Sequence, residues 1–331
     1  MPRTAIIGTG FSVPDRVVTN DDLAGMIDTN DEWIRERTGI EERRWVREGE
    51  TGTMLAAAAS RMAIEDAGIE ASEIDAIVLG TLSPDHFFPG TGVFLQRELG
   101  LGTIPALDLR AQCSGFLYGL SVADAWIRVG QYRTILLVGV EIQSTGLNLT
   151  DAGRDMAVLF GDGAGAALLQ ATDEADRGVL TTNIHSQGEF AEVLWGDAPA
   201  SWRHPRISEE DLNEGRHYPT MSGREVFKHA VTRMPQAVEE ALQAAGLTTA
   251  DIDLLVPHQA NLRISQMVQK RLGLSDDQVF NNIQKYGNTT AATIPIALAE
   301  ASREGRIKRG DLVCLTAFGS GFTWGGSLIR W

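Results

Sequence analysis

An internal repeat constrains the fold of this chain more than any other feature of its sequence. Residues 63–78 have the sequence AIEDAGIEASEIDAIV, and residues 241–256 have the sequence ALQAAGLTTADIDLLV. In each copy a helical stretch ends at a glycine, Gly68 or Gly246, and an Ile-Asp pair then leads into a β-rich run. Glycine adopts the left-handed conformation that closes a helix at little cost. The distance between the copies is far longer than a solenoid repeat, so the sequence predicts a duplicated half-protein.

Two further pairs of segments support the duplication. Residues 133–140 and 310–318 each predict a buried strand, and each is followed by a predicted glycine-rich strand, at 156–169 and 322–329. Continuous apolar runs of this length are typical of strands that are buried on both faces, and predicted helices alternate with them. We therefore expect an α/β protein whose two halves pack into one layered body.

We place the two halves at residues 1–172 and 173–331, and no long polar linker separates them. Residues 186–220 break the pattern, because tryptophans, prolines, histidines and acidic residues occur there without a clean period. Such a segment is either a long surface loop or a cap that shapes a pocket, since long loops in compact proteins are often functional.

Charge and cysteine content exclude several classes of protein. The 331 residues carry a formal net charge of −15, which argues against a general nucleic-acid or anionic-membrane binder but allows a local basic patch. Two cysteines cannot form a disulfide framework, and no Cys/His cluster has zinc spacing. We see no signal peptide and no apolar stretch long enough to span a bilayer. We therefore expect a cytoplasmic enzyme without a metal.

Three reactive side chains, Cys113, His258 and Asn288, lie in turn-like or glycine-rich segments far apart in the sequence. A thiol, an imidazole and an amide can together supply a nucleophile and stabilise a developing negative charge. Cys113 is predicted at a strand-to-helix turn, where free amides and the helix dipole favour the thiolate. The alternative is a small buried hydrophobic residue, which is our prediction for Cys314 inside an apolar strand.

His258 is predicted to follow a strand at 253–257, the end at which open α/β sheets place ligand-binding groups. A structural histidine is the alternative there, and Asn288 in Gly-Asn-Thr-Thr could simply be a turn residue. The remaining histidines lack such a setting, and we expect surface or supporting positions for His86, His185, His204, His217 and His229.

Glycine motifs and one tryptophan complete the set of candidates. Residues 318–322, Phe-Gly-Ser-Gly-Phe, could expose backbone amides as an oxyanion hole does, or could be a plain turn. Residues 160–165, Phe-Gly-Asp-Gly-Ala-Gly, do not match a phosphate loop because no Lys-Ser/Thr follows, so we predict close strand packing near the site. Trp33, in a helical run at 31–39, is either a core residue or a stacking platform.

Over essentially its whole length the chain resembles the β-ketoacyl-acyl carrier protein synthase III family of thiolase-superfamily condensing enzymes. The stretches that carry the resemblance are DEWIRERTGI at 31–40, AQCSGF at 111–116, FGDGAGA at 160–166, HQANLR at 258–263, YGNTT at 286–290 and FGSGFTWG at 318–325. The resemblance implies the thiolase fold, with two βαβαβαββ halves in an αβαβα arrangement, and a homodimer.

The resemblance also implies a two-step reaction. Cys113 would take an acyl group from acyl-coenzyme A, with the amides of Cys113 and Ser320 as the oxyanion hole. Malonyl-acyl carrier protein would then be decarboxylated while His258 and Asn288 stabilise its enolate, and the resulting carbanion would attack the acyl-cysteine. No metal or redox cofactor is implied, since decarboxylation drives the condensation.

Further residues are assigned by the same resemblance. Trp33 would stack on the adenine of coenzyme A, with Arg154 across the ring, and Phe88 would reach the acyl pocket of a partner subunit. The pantetheine tunnel would be lined by Met221, Gly223, Phe227, Ala260 and Asn261. The docking site for the acidic carrier protein would consist of Arg263, Lys270 and Arg271 on one helix.

Two departures from the family pattern bear on the substrate. The family's glycine triplet is Gly-Ser-Gly here, and residues 186–220 are expected to be longer than in compact members; with Ser83-Pro-Asp-His86, this resembles relatives that make specialised metabolites or signals. Three hypotheses follow: a synthase that starts fatty-acid synthesis or uses medium-chain acyl groups, a related enzyme with another acceptor, and a non-catalytic carrier-binding subunit. The intact Cys-His-Asn set argues against the third.

Overall fold

A computed structural model describes residues 1–331 of the chain and contains two large sheets and eleven helices. The strands are β1 (Arg3–Ser12), β2 (Val17–Thr19), β3 (Glu42–Arg44), β4 (Ala76–Gly80), β5 (Ala106–Leu109), β6 (Thr134–Glu141), β7 (Gly163–Thr172), β8 (Gly178–Ser186), β9 (Leu194–Trp195), β10 (Thr220–Met221), β11 (Leu254–Pro257), β12 (Leu312–Gly319) and β13 (Thr323–Arg330). The helices are α1 (Asn20–Ala24), α2 (Asp31–Thr38), α3 (Gly52–Ala67), α4 (Thr91–Glu98), α5 (Gly115–Arg128), α6 (Arg154–Ala157), α7 (Glu209–Asn213), α8 (Gly223–Ala245), α9 (Leu262–Leu272), α10 (Ile283–Tyr286) and α11 (Thr293–Arg303).

The two large sheets have the same strand order. The first runs β1-β7-β6-β4-β5, and the second runs β8-β13-β12-β11. A parallel bridge from Leu255 to Val279 occupies the fifth position of the second sheet, where β5 lies in the first. Each half therefore follows the order βαβαβαββ, with the fifth strand of the second half reduced to a bridge. The predicted thiolase topology is confirmed.

Three apolar cores hold five layers together. Helices α3 and α4 cover the outer face of the first sheet, and α8 and α9 cover the outer face of the second. Helices α5 and α11 lie between the sheets, where Leu120 and Leu298 pack in one cluster with Leu137 of β6 and Leu315 of β12. The inner strands, such as β6 and β12, are thus buried on both faces, which explains the continuous hydrophobic runs in the sequence.

The repeat glycines close their helices as predicted. Gly68 after α3 has φ 65°, and Gly246 after α8 has φ 68°, both in the left-handed region. The predicted strand at 156–169 is wrong in its first half, because α6 ends at Ala157 and β7 begins only at Gly163. The amide of Gly161 donates to the carbonyl of Asn288 at 3.1 Å, outside the β6–β7 ladder, so this segment belongs to the site.

The segment at 186–220 contains short elements and is closed at its base by a hairpin. A 3-10 turn spans Gly188–Val193, and the two-residue strands β9 and β10 pair Leu194 with Met221. Helix α7 lies in the excursion between these strands. The boundary that we propose between the halves falls between the end of β7 at Thr172 and the start of β8 at Gly178.

Candidate active site

Cys113 lies at a sharp turn between β5 and α5. It is the middle residue of a 3-10 turn over Gln112–Ser114 that leads directly into the helix. Gln112 adopts φ 44°, a conformation that few non-glycine residues adopt and that is often found at functional sites. The backbone amides of Cys113 and Ser320 both act on the sulfur and lower the pKa of the thiol.

The effect of burial on the pKa of the thiol is larger than the opposite effect of these amides. Desolvation, together with a smaller effect from the charge of Glu141, raises the pKa of the Cys113 thiol to about 12. The expectation that the turn favours a thiolate is therefore wrong for the ligand-free protein, because the cost of an anion in an apolar site exceeds the help from the amides. The raised pKa keeps Cys113 in its thiol form near neutral pH.

Glu141 is a buried acid that the sequence analysis missed. It is fully buried at the end of β6, and burial raises the pKa of its carboxyl to about 7. The Ser83 hydroxyl donates to it at 2.6 Å, and the amides of Leu82, Ser83 and Ala291 counteract part of the rise. No sequence pattern marks this residue, because it ends an ordinary apolar strand.

His258 directly follows β11, and burial keeps its imidazole neutral. The residue is 2% exposed, and desolvation lowers the pKa of the ring to about 3. The Nδ1 atom lies 2.6 Å from the Oγ1 atom of Thr293, while the buried Nε2 atom has no hydrogen-bond partner. The ring thus has one nitrogen committed to the protein and one free for a ligand.

Asn288 presents its side-chain NH2 group as the free end of the amide. Its Oδ1 atom accepts a hydrogen bond from the backbone N–H of Thr290 at 2.9 Å. Its own backbone N–H donates to the Leu159 carbonyl at 2.8 Å, which holds the residue beside the segment that precedes β7. Since the amide oxygen is already used, the group offered to a ligand is a hydrogen-bond donor.

One cavity of about 500 Å³ brings Cys113, His258 and Asn288 together, although they come from different halves of the chain. Of the predicted binding residues, its wall includes Trp33, Met221, Gly223, Phe227, Ala260, Asn261 and Arg263. Arg154, Ser320, Lys270, Arg271 and Phe88 are not part of this wall.

Twelve further residues of the wall were not predicted as site residues, although Phe160, Phe318 and Gly319 belong to the two glycine motifs and most of the others come from segments without a motif. They are Arg37, Thr38, Asp155, Val158, Leu159, Phe160, Leu194, Arg224, Val226, Ile264, Phe318 and Gly319. Two of them, Arg37 and Arg224, add positive charge to the cavity of an acidic chain. Arg37 and Arg224 are both exposed, so their charges are available to an anionic ligand.

Trp33 is half-buried and is surrounded by two guanidinium groups. The Cζ atom of Arg37 lies 4.6 Å from the ring centroid, and that of Arg154 lies 4.8 Å away. Arg154 also donates to the carbonyl of Asp28 at 3.0 Å. These contacts favour the stacking-platform interpretation of Trp33 over the core interpretation.

The glycine motif at 318–322 packs directly on Cys113. A Cβ atom on Gly319 would lie 2.8 Å from the Cβ atom of Cys113 and 3.2 Å from its sulfur, so only glycine fits there. The Ser320 hydroxyl donates to the carbonyl of Leu194 at the base of the 186–220 segment. The serine in this motif therefore ties the turn beside Cys113 to that segment.

Asp162, in the motif at 160–165, anchors neighbouring loops. Its carboxylate accepts from the backbone N–H groups of Val46 at 2.8 Å and Gln143 at 2.7 Å, and from the Ser144 hydroxyl at 2.6 Å. A Cβ atom on Gly161 would lie 2.2 Å from the carbonyl oxygen of Tyr286. The structure thus confirms close packing near the site in this motif.

The remaining candidates lie away from the cavity. Lys270 and Arg271 are exposed near the end of α9 and form no ion pair, and Phe88 is 80% exposed. Cys314 is fully buried in β12, as predicted. No group of three or more His, Cys, Asp or Glu side chains is placed to hold a metal ion. None of the helices is both long and apolar enough to cross a membrane.

Comparison with known proteins finds relatives in one enzyme family. The family model of 3-oxoacyl-[acyl-carrier-protein] synthase III matches residues 107–188, and the model of its C-terminal part matches residues 242–331. A β-ketoacyl-[acyl-carrier-protein] synthase III from Acidiphilium cryptum is 49% identical over 331 residues, with 100% of both chains covered.

Two solved structures extend this comparison. A 3-oxoacyl-[acyl-carrier-protein] synthase III from Aquifex aeolicus superposes with a TM-score of 0.91 at 43% identity, covering 99% of this chain and 100% of the other. A priming β-ketosynthase from the R1128 polyketide biosynthetic pathway superposes with a TM-score of 0.89 at 33% identity, covering 99% and 96%.

Proposed function

Because the chain belongs to the β-ketoacyl-[acyl-carrier-protein] synthase III family, it is an acyl-transferring condensing enzyme, and we propose that Cys113, His258 and Asn288 are its catalytic residues. The reaction condenses an acyl group from acyl-coenzyme A with malonyl-acyl carrier protein and gives β-ketoacyl-acyl carrier protein, at the start of fatty-acid synthesis. The observation that carries the assignment is the convergence of these three side chains from both halves on one cavity.

In the first step Cys113 takes the acyl group. Its sulfur attacks the thioester carbonyl, the bond from that carbon to the coenzyme A sulfur breaks, and the thiol proton ends on coenzyme A. The amides of Cys113 and Ser320, which already act on the sulfur, stabilise the oxyanion of the tetrahedral intermediate. Because the pKa of the thiol is raised, the proton leaves as the new bond forms.

In the second step His258 and Asn288 act on the malonyl thioester. The carboxylate leaves as carbon dioxide, and its electron pair forms an enolate whose oxygen accepts hydrogen bonds from His258 Nε2 and Asn288 Nδ2. The enolate carbon then attacks the acyl carbonyl, and the Cys113 sulfur leaves. Two neutral donors suit this step, because a nearby carboxylate would repel the oxyanion. Decarboxylation supplies the driving force, so the chemistry needs no metal or redox cofactor.

The binding roles follow the same proposal. Trp33 and Arg154 would hold the adenine of coenzyme A, which requires the Arg154 guanidinium to move off the indole ring. The pantetheine arm would run along Met221, Gly223, Phe227, Ala260 and Asn261.

Positive charges around the cavity would bind the anionic parts of both substrates. Arg37 and Arg224 would meet the phosphates of coenzyme A, while Arg263, Lys270 and Arg271 would dock the acidic carrier protein. Because the whole chain has a formal net charge of −15, this local patch is where an acidic partner would approach.

We further propose a cytoplasmic homodimer. Phe88, which is 80% exposed, would pack against the partner subunit near its acyl pocket. The neighbouring Phe87 is 64% exposed, and two adjacent exposed aromatic side chains form an apolar patch that a protein partner would cover.

Acyl transfer to the enzyme tests the assignment. We expect acyl-coenzyme A to add one acyl mass to the wild-type protein, and we expect no such mass on Cys113→Ala. Asn288→Ala should still be acylated but should lose condensation with malonyl-acyl carrier protein. Intact-protein mass spectrometry measures the first step, and product formation measures the second. An acylated Cys113→Ala protein, or full condensation by Asn288→Ala, contradicts the proposal.

A second candidate is an enzyme that delivers the acyl group to another acceptor. The 33% identity to the R1128 priming ketosynthase supports this second candidate. The length of residues 186–220 gives no support to this second candidate, because the Acidiphilium cryptum relative aligns with this chain from end to end. Malonyl-acyl carrier protein and malonyl-coenzyme A offered in parallel to the acylated enzyme separate the two candidates.

A further inference from the structure

The hydrogen bond between His258 and Thr293 raises the question of which ring nitrogen carries the proton. Burial makes the imidazole neutral, so the ring holds a single proton, on Nδ1 or on Nε2. The enolate step proposed above needs a proton on Nε2, because only a protonated nitrogen can donate to the oxygen. The residue that binds Nδ1 decides the tautomer.

The Thr293 hydroxyl has two acceptors within reach and one proton. Its Oγ1 atom lies 2.6 Å from His258 Nδ1 and 3.0 Å from the carbonyl oxygen of Thr290. If the hydroxyl donates to the carbonyl, Nδ1 must carry the ring proton, and Nε2 faces the cavity as a lone pair. If the hydroxyl donates to Nδ1, the ring proton is on Nε2.

Two observations favour the second arrangement, and a third is compatible with it. The shorter of the two distances is the one to Nδ1. The Thr290 carbonyl also accepts the backbone N–H of Thr293, so it keeps a partner when the hydroxyl turns away. Nε2 has no protein partner and is buried, which leaves it for a ligand in the cavity.

We propose that Thr293 is a positioning residue that donates its hydroxyl proton to Nδ1 and thereby holds His258 in the Nε2–H tautomer. The inference rests on the enolate role proposed for His258. Thr293 is the first residue of α11 and is 2% exposed, so its hydroxyl is shielded from bulk solvent. The fold thus fixes the donor with a neutral group and adds no charge beside the reacting oxygen.

Nitrogen-15 NMR of histidine-labelled full-length protein tests this directly. The His258 signals are identified by their loss in His258→Asn. We expect the wild-type protein to show a protonated Nε2 and an unprotonated Nδ1. A protonated Nδ1 in the wild-type protein bound to an unreactive malonyl thioester analogue overturns the proposal, whatever the variants do.

Kinetics of matched variants provide the second test. Thr293→Val removes the hydroxyl and keeps the shape, and we expect condensation to slow on the order of tenfold or more while acylation changes less than about twofold. Thr293→Ser should restore both the tautomer and the rate. Thr4→Val is the control, because the Thr4 hydroxyl is buried without a partner.

The outcomes separate this inference from the proposed function. If Thr293→Ser is as slow as Thr293→Val, or Thr293→Val keeps full condensation, Thr293 does not set the tautomer. If Asn288→Ala keeps condensation, the proposed enolate site is wrong, and the NMR spectrum still reports the tautomer on its own.

Discussion

At the scale of single residues, desolvation of the Cys113 thiol has consequences for reactivity. An apolar site protects a thiol from ionisation and therefore from oxidation and alkylation between turnovers. The amides that lower the pKa of the sulfur become fully useful only when an oxyanion develops beside it. The site is thus arranged for the transition state more than for a resting anion.

This ionisation gives a pH-dependent prediction. Because the pKa of the Cys113 thiol is raised to about 12, thiolate remains a minor species at neutral pH, and its fraction grows as the pH rises. We expect the rate of iodoacetamide labelling of the ligand-free enzyme to increase about tenfold per pH unit from about pH 6 to about pH 9. Mass spectrometry measures the labelling.

Cys113→Ala supplies the background for this experiment, since the only other thiol, on Cys314, is fully buried. A labelling rate that levels off near neutral pH would show a thiol with a low pKa and contradict the prediction.

The sequence was sufficient to name the three side chains that meet in the cavity. It was not sufficient to predict the burial and the contacts that surround them. Cys113, His258 and Asn288 each stand in a local motif, so a single chain reveals them. Glu141 and Thr293 act through contacts with residues far away in the sequence, and no local pattern carries such information. The error about the thiolate has the same cause, because burial is a property of the whole fold.

At the scale of elements, α9 carries both of the roles that we propose for its residues, cavity wall and carrier-protein docking. Its first turn contributes Arg263 and Ile264 to the cavity wall, while Lys270 and Arg271 lie near its other end, outside the wall. The basic residues of the last turn also suit the negative end of the helix dipole. The helix can therefore bind a carrier protein at its surface while its first turn shapes the cavity.

Charge reversal on α9 should affect only the step that uses the carrier protein. We expect Lys270→Glu or Arg271→Glu to raise KM for malonyl-acyl carrier protein by about threefold or more, because a like charge now meets an acidic partner. Acylation by acyl-coenzyme A should stay unchanged, since neither residue lines the cavity.

Lys308→Glu is the matched control, as Lys308 is exposed and lies in the loop after α11. Steady-state kinetics at two salt concentrations measure the effect, which should shrink at high salt. An equal rise in KM for Lys308→Glu would mean that net charge, not the α9 surface, is responsible.

Elements were predicted best where the repeat or an apolar run defined them. Such patterns predicted the helices that end at Gly68 and Gly246. They also predicted the strands that contain Leu137 and Leu315. The start of β7 was placed too early because Met156 to Phe160 are apolar for another reason, which is packing around Trp45 and Ile34 in a separate core. Composition alone cannot separate these causes.

At the scale of the whole molecule, one sheet edge is exposed and apolar. Strand β5 is the last strand of the first sheet, and its Leu107 is 37% exposed. Val93 of α4 and Phe88 lie nearby in sequence and are also exposed. An unprotected edge of this kind invites pairing with another strand, so it is the natural place for the dimer that we propose.

A charge on this edge should weaken the dimer. We expect Leu107→Lys to shift the protein toward monomer, because the substitution buries an ammonium group or separates the strands. Val129→Lys places the same charge on another exposed apolar residue, which is 71% exposed, and should leave the assembly unchanged. Sedimentation velocity over a range of concentrations measures both. A fully dimeric Leu107→Lys protein would place the interface elsewhere.

The duplication also pairs the turns that precede α5 and α11. Gln112, with φ 44°, and Thr290, with φ 52°, occupy corresponding positions, so the counterpart of Cys113 is Ala291. The amide of Ala291 faces the carboxyl group of Glu141, much as the Cys113 amide faces its own sulfur. The turn at Ala291 thus binds an internal carboxyl group, whereas the corresponding turn at Cys113 opens onto the cavity. The two halves therefore share a backbone plan, but only the turn in the first half can present its amides to a ligand in the cavity.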